Sequence, residues 1–210
     1  MIIDWIKFIP ALVLLLVPAG LFYGEKDRYR DISRDWGDYW PRIFAHGMHT
    51  IDLLRAALGT WLLLDSLEGV SNPHGLQKYA VLLAQGSIRI FAVWLQTVVC
   101  RHPDSANAPF AFVIGLLLTG MSPLGSIFAL ALALPIAMGS RTPAAFFPVF
   151  GLVHLGIGVW FGGKGAIFSL SFGSFAAMLP LLWALMFRRE LVITYRAKRM
   201  PDDHKSLPVR

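Results

Sequence analysis

Apolar residues gather in runs at roughly 5–23, 43–64, 78–100, 106–138, 143–161 and 166–187, with short polar stretches between them. Most of these runs approach the ~20 residues that a helix needs to span a ~30 Å hydrocarbon core. The fourth run is too long for one helix. Met121-Ser122-Pro123-Leu124-Gly125 stands near its middle, and Ser followed by Pro is a helix cap followed by a favoured first helical position. Asn72-Pro73 and Thr142-Pro143 repeat the signal, and Pro41 and Pro109 stand near the starts of two other runs.

The pattern predicts an all-α fold, a polytopic membrane helical bundle of seven segments. Six spans with one broken helix is the alternative, because proline is tolerated within membrane helices. The segments at 106–120 and 123–138 are short. A hairpin that only partly crosses, buried among the other helices, also fits them.

Charge separates the two topologies. Of 19 Lys and Arg, five lie between residues 24 and 42 and seven lie from Arg188 onward. Short cytoplasmic loops carry an excess of basic residues. Seven spans, with the N-terminus outside and the C-terminus cytoplasmic, put fourteen basic residues inside and leave only Lys7, Lys78 and Lys164 outside. Six spans give ten against seven. The chain therefore reads as one integral membrane domain, 1–210, with a short basic tail (188–210) that prolongs the last helix before Pro201.

Composition agrees with that reading. Hydrophobic residues make up 56% of the chain and charged residues 15%, against about 45–50% and about 25% in soluble domains. A soluble domain of this size would lack the charge to cover its surface, so most soluble enzyme classes are excluded. The net charge of +6 does not indicate nucleic acid. It is confined to a loop and a tail, as expected of segments facing an anionic leaflet. The loop at 24–42 mixes acids and bases and ends in Trp36, Tyr39 and Trp40, which suit a headgroup belt. Besides the lipid bilayer, a protein partner would meet the chain at loop 24–42 or tail 188–210. A bacterial inner membrane is the simplest host for this orientation. Cys100 is the single cysteine, so the chain can form neither an internal disulfide nor a thiolate cluster.

Ionisable residues inside membrane segments are costly and mark functional sites by default. His46, His49, Asp52 and Arg55 follow one another at i,i+3 in the second run. Arg89 sits mid-way along the third, with Gln85 one turn earlier, and His154 sits mid-way along the run at 143–161. His49, Asp52, Arg55, Gln85, Arg89 and His154 form the candidate intramembrane network. Such a network either pairs acid with base to hold helices in register or lines a substrate, ion or proton path. His49 and His154 are the one pair from different helices able to ligate haem b axially. Otherwise no cofactor is indicated.

Other chemistries lack their residue sets. His46 and His49 do not have the spacing of His-Glu-x-x-His. The last segment has no Schiff-base lysine, and neither Gly125-Ser126 nor Gly173-Ser174 forms Gly-x-Ser-x-Gly. Gly162-Gly163-Lys164-Gly165 is a helix-to-helix turn rather than a phosphate loop. Ile51-Asp52-Leu53-Leu54-Arg55 resembles the Asp-Leu-Leu-Arg near the first helix of multi-span membrane acyltransferases. The resemblance covers five residues, and those chains are much longer, so it assigns no role here. The functional expectation is a non-catalytic membrane subunit or scaffold. A small transporter or channel-like protein using the His/Asp/Arg network is the alternative, and a haem-binding redox protein or membrane enzyme is the third.

Overall fold

The computed structural model describes residues 3–22, 29–39, 43, 47–68, 76–100, 104–120, 123–161 and 163–196. Seven helices lie among them: α1 (Trp5–Leu16), α2 (Gly47–Glu68), α3 (Leu76–Val98), α4 (Phe110–Gly120), α5 (Pro123–Gly139), α6 (Phe146–Phe161) and α7 (Gly163–Met186). The division expected at Ser122-Pro123 separates α4 from α5. Ser122 itself, like His46, lies outside the described residues. Asp4 caps α1 by accepting from the Ile6 amide at 3.2 Å. Thr142 caps the short turn Pro143–Ala145 before α6 by accepting from the Ala144 amide at 3.3 Å. Both are the local devices that start helices.

The helices alternate in direction. At one end, the Asp4 amide bonds the Ser66 carbonyl at 3.2 Å and Lys7 pairs with Asp65 at 2.7 Å. This sets the start of α1 beside the end of α2. The other end is closed by a three-stranded sheet of β1 (Tyr29–Ile32), β2 (Ser105–Asn107) and β3 (Glu190–Arg196), in the order β1-β3-β2. β1 runs antiparallel to β3, with Ile32 opposite Ile193. β2 runs parallel to it, with Ser105 opposite Glu190. The loop after α5 joins the same end, where the Asp35 amide bonds the Arg141 carbonyl at 2.8 Å. The first loop, the loop before α4 and the C-terminal segment therefore share one end of the bundle. Their shared end requires α4 and α5 to turn back on each other. Ser126 Oγ pins that turn by donating to the Leu117 carbonyl at 3.0 Å.

The sheet corrects two expectations. The tail does not prolong the last helix. α7 ends at Met186, Arg188 takes the left-handed conformation (φ 53°), and the Arg189 amide bonds the Ala184 carbonyl at 2.8 Å. That is a helix-terminating turn, and β3 follows it. Trp36 is not in a surface belt either. It is 1% exposed, donates from Nε1 to the Ala137 carbonyl at 3.1 Å, and fills the space beneath the sheet beside Phe110.

α4 is the centre of the bundle. Every residue from Phe110 to Leu117 is buried, as a helix apolar on all sides must be. Its closest approach to α2 is at Gly115, where an added Cβ would run into the Leu53 carbonyl oxygen. α5 shows the distribution of sizes most clearly. Its buried positions are Gly125, Ser126, Ala129, Ala133 and Ala137, while Leu124, Ile127, Phe128, Leu132 and Ile136 are exposed. Small side chains face in and large apolar ones face out. Among the described residues one helix, over Lys78–Val98, is long and apolar enough by length and composition to cross a membrane.

Candidate functional site

The structure divides the six candidate residues into three settings. The first joins Asp52 and Arg55. Asp52 Oδ1 accepts from Arg55 Nε at 2.7 Å, and only 11% of each side chain is exposed. The i,i+3 spacing on α2 places both on one face. Arg55 then reaches α1. Nη1 donates to the carbonyls of Leu14, at 3.1 Å, and of Val17. Nη2 donates to Gln96 Oε1 on α3 at 2.8 Å, and the guanidinium lies over the Phe112 ring at 5.0 Å. A cation on the last carbonyls of α1 satisfies groups that have no partner within the helix and complements its dipole. The group is closed and paired, and it acts as a staple.

Gln96 is a residue that sequence reasoning missed. Its Oε1 also accepts from the Ala19 amide at 3.0 Å, and its Nε2 donates to the Val17 carbonyl at 3.1 Å. Uncharged and near the end of an apolar run, it gave little signal, although it lies eleven residues, about three helical turns, beyond Gln85 on the same buried seam.

His49 stands apart, at the start of α2. Its Nε2 donates to the Thr194 carbonyl of β3 at 3.0 Å, which puts the ring proton on Nε2 because a carbonyl only accepts. Its ring packs on Phe110. His49 and Asp52 line a cavity of about 10 Å³ with Asn107 and Phe112, about enough for a single water molecule.

Arg89 and His154 form the third setting. Arg89 is 1% exposed. Its Nε donates to the Gln85 carbonyl at 3.2 Å, and neither Nη1 nor Nη2 has a hydrogen-bond partner among the described residues. His154, also 1% exposed, has no hydrogen-bond partner for either ring nitrogen among the described residues and packs against Phe150. Arg89 does not join the Asp52–Arg55 pair, and His154 does not meet His49. The two haem candidates are thus held in different surroundings. Among the described residues no group of three or more His, Cys, Asp or Glu is placed to hold a metal ion.

An open depression of about 710 Å³ lies on the flank of the bundle, with Leu16, Ile88, Phe91, Trp94 and Leu179 among its walls. Its chemistry is that of hydrocarbon. No protein-family model matches this chain, and neither a curated protein nor a solved structure shows a significant similarity to it.

Proposed function

We propose that the chain is a multi-pass integral membrane protein that serves as a non-catalytic membrane subunit, with its helices in lipid and its strand-built end offered to a protein partner. The observation that carries the reading is that end. Three segments distant in sequence are knitted into one sheet, and charged side chains stand out from it, with 84% of the Arg34 side chain and 60% of that of Glu190 exposed. The outward Leu, Ile and Phe of α5, set against its inward Ala, support burial in lipid, where helices associate through small residues. A soluble surface rarely carries so much contiguous apolar area. Among the described residues Arg30 and Arg34 of the first loop, Arg141, and Arg188, Arg189 and Arg196 of the C-terminal segment lie at the sheet end, which supports a cytoplasmic sheet and an external N-terminus.

Photo-crosslinkers at positions 34 and 190, activated in intact membranes, test the docking reading. Capture of one stoichiometric protein from both positions supports it. A chain that purifies alone, with crosslinks only to lipid, overturns it.

A small transporter or channel-like protein is the second reading. Arg89 favours it, because a buried guanidinium with two nitrogens unpartnered among the described residues is suited to receive a passing anion.

A further inference from the structure

Arg89 and His154 are ionisable, unlike Thr60 and Trp183, whose buried Oγ1 and Nε1 also lack a hydrogen-bond partner among the described residues. The Asp52–Arg55–Gln96 group satisfies itself, while Arg89 keeps both Nη atoms and His154 both ring nitrogens without a hydrogen-bond partner among the described residues. Ser174 on α7, buried, adds a hydroxyl that is likewise unpartnered. Consecutive residues of α7 bring these groups to one level. An added Cβ on Gly86, one turn before Arg89, would strike the Phe172 ring. The next residue, Gly173, faces His154, and a Cβ there would lie 3.9 Å from Nε2. Glycine at 86 lets α3 close on α7, and glycine at 151 of α6, where an added Cβ would lie 3.0 Å from the Ser174 carbonyl oxygen, lets α6 close on the same stretch.

A buried cation without a counter-charge is unfavourable, and a buried donor without an acceptor adds to the cost. Asp52, the buried acid among the described helical residues, is taken by Arg55. No described carboxylate pairs with Arg89.

We propose that Arg89, His154 and Ser174 form an internal binding site for a small monoanion of the carboxylate class. The planar fork of Nη1 and Nη2 matches the two oxygens of a carboxylate, and Ser174 Oγ and a His154 N–H supply donors for the remaining lone pairs. A halide would use the fork less completely, and a dianion would exceed the single charge available. The site stands whether or not a partner docks at the sheet, because it lies among α3, α6 and α7.

The test uses the full chain in detergent, with a bulky organic sulfonate as the only anion, equilibrated with formate, acetate or chloride. Formate and acetate are expected to raise the unfolding midpoint saturably, by about 5–10 °C at about a hundredfold over Kd. R89M is expected to fold, to unfold no earlier than the wild type without added anion, and to lose the carboxylate response. S174A removes one hydroxyl and is expected to weaken formate binding roughly tenfold. It carries the test if R89M does not fold. The proposal is overturned by no carboxylate response, by an equal response to chloride, by the same response in R89M, or by an unchanged formate affinity in S174A.

Discussion

Arg55 of α2 and Gln96 of α3 meet at 2.8 Å over the end of α1, and between them they bond the carbonyls of Leu14, Leu15 and Val17 and the amide of Ala19. Helix α1 has only twelve residues, too few to be stable on propensity alone. Its place is fixed by side chains on two other helices.

The variants of this staple therefore have an order. Arg55→Met strands the Asp52 carboxylate and frees the α1 carbonyls together, and is expected to cost about 3 kcal/mol. Gln96→Leu removes neutral bonds and is expected to cost about 2 kcal/mol. Asp52→Asn leaves an oxygen for Arg55 Nε and is expected to cost about 1 kcal/mol. Unfolding midpoints in detergent check the ranking. Asp52→Asn as damaging as Arg55→Met would mean that the ion pair, rather than the clamp on α1, holds this corner.

The sheet makes a topological prediction. Single cysteines at positions 34 and 190, in a chain where Cys100 is replaced by alanine, are expected to react with an impermeant thiol reagent from the same side of sealed vesicles. A cysteine at position 65 is expected to react from the opposite side. Labelling of positions 34 and 190 from opposite sides would restore the six-span arrangement. Arg30, Arg34, Arg141, Arg188, Arg189 and Arg196 stand at the sheet end, so the common side is expected to be cytoplasmic.

The helical layout was legible because it rests on local signals. Apolar runs and the Ser-Pro and Thr-Pro starts marked the helical segments, and Asp52–Arg55 followed from i,i+3 spacing. The sheet rests on pairings between Asp31 and Thr194 or Ala106 and Leu191, far apart in sequence, and no local rule reports them. Val192, Ile193, Thr194 and Tyr195 are strong strand formers, and that run was the available clue. Basic residues on either side of it drew the reading toward a tail. Trp36 misled for a similar reason. An aromatic beside charges suits an interface, and its bond to the Ala137 carbonyl and its packing on Phe110 join residues too far apart in sequence for local patterning to report. The separation of Arg89 from Asp52 depends on helix rotation, which spacing within one helix does not set.

Gly115 sits where α4 passes closest to α2. Gly115→Ala would place a methyl group against the Leu53 carbonyl oxygen, with the Ala56 side chain 3.1 Å away. Backbone gives way less readily than a side chain, so the two helices must separate. The expected cost is about 1–3 kcal/mol, as for overpacked cores. Gly139→Ala is the control, since nothing lies within 4 Å of its Cβ position, and helix propensity makes it neutral or slightly stabilising. Equal losses at both positions in thermal unfolding would remove close packing as the reason for glycine at 115.

Arg188 ends α7 with φ 53°, a conformation that an L side chain enters at a cost of about 1 kcal/mol and glycine enters freely. The side chain is exposed, so Arg188→Gly gives up little besides a favourable charge near the helix end. The substitution is expected to raise stability by about 0.5 kcal/mol, because relief of the left-handed strain exceeds the lost charge–dipole attraction. The sign is the informative part. A stabilised Arg188→Gly and a destabilised Arg188→Ala, compared in the same detergent, would establish that the turn into β3 is the native end of α7. If the helix instead continued through this position, glycine would be the worse of the two by about 1 kcal/mol, and the sheet that closes the bundle would lose its third strand.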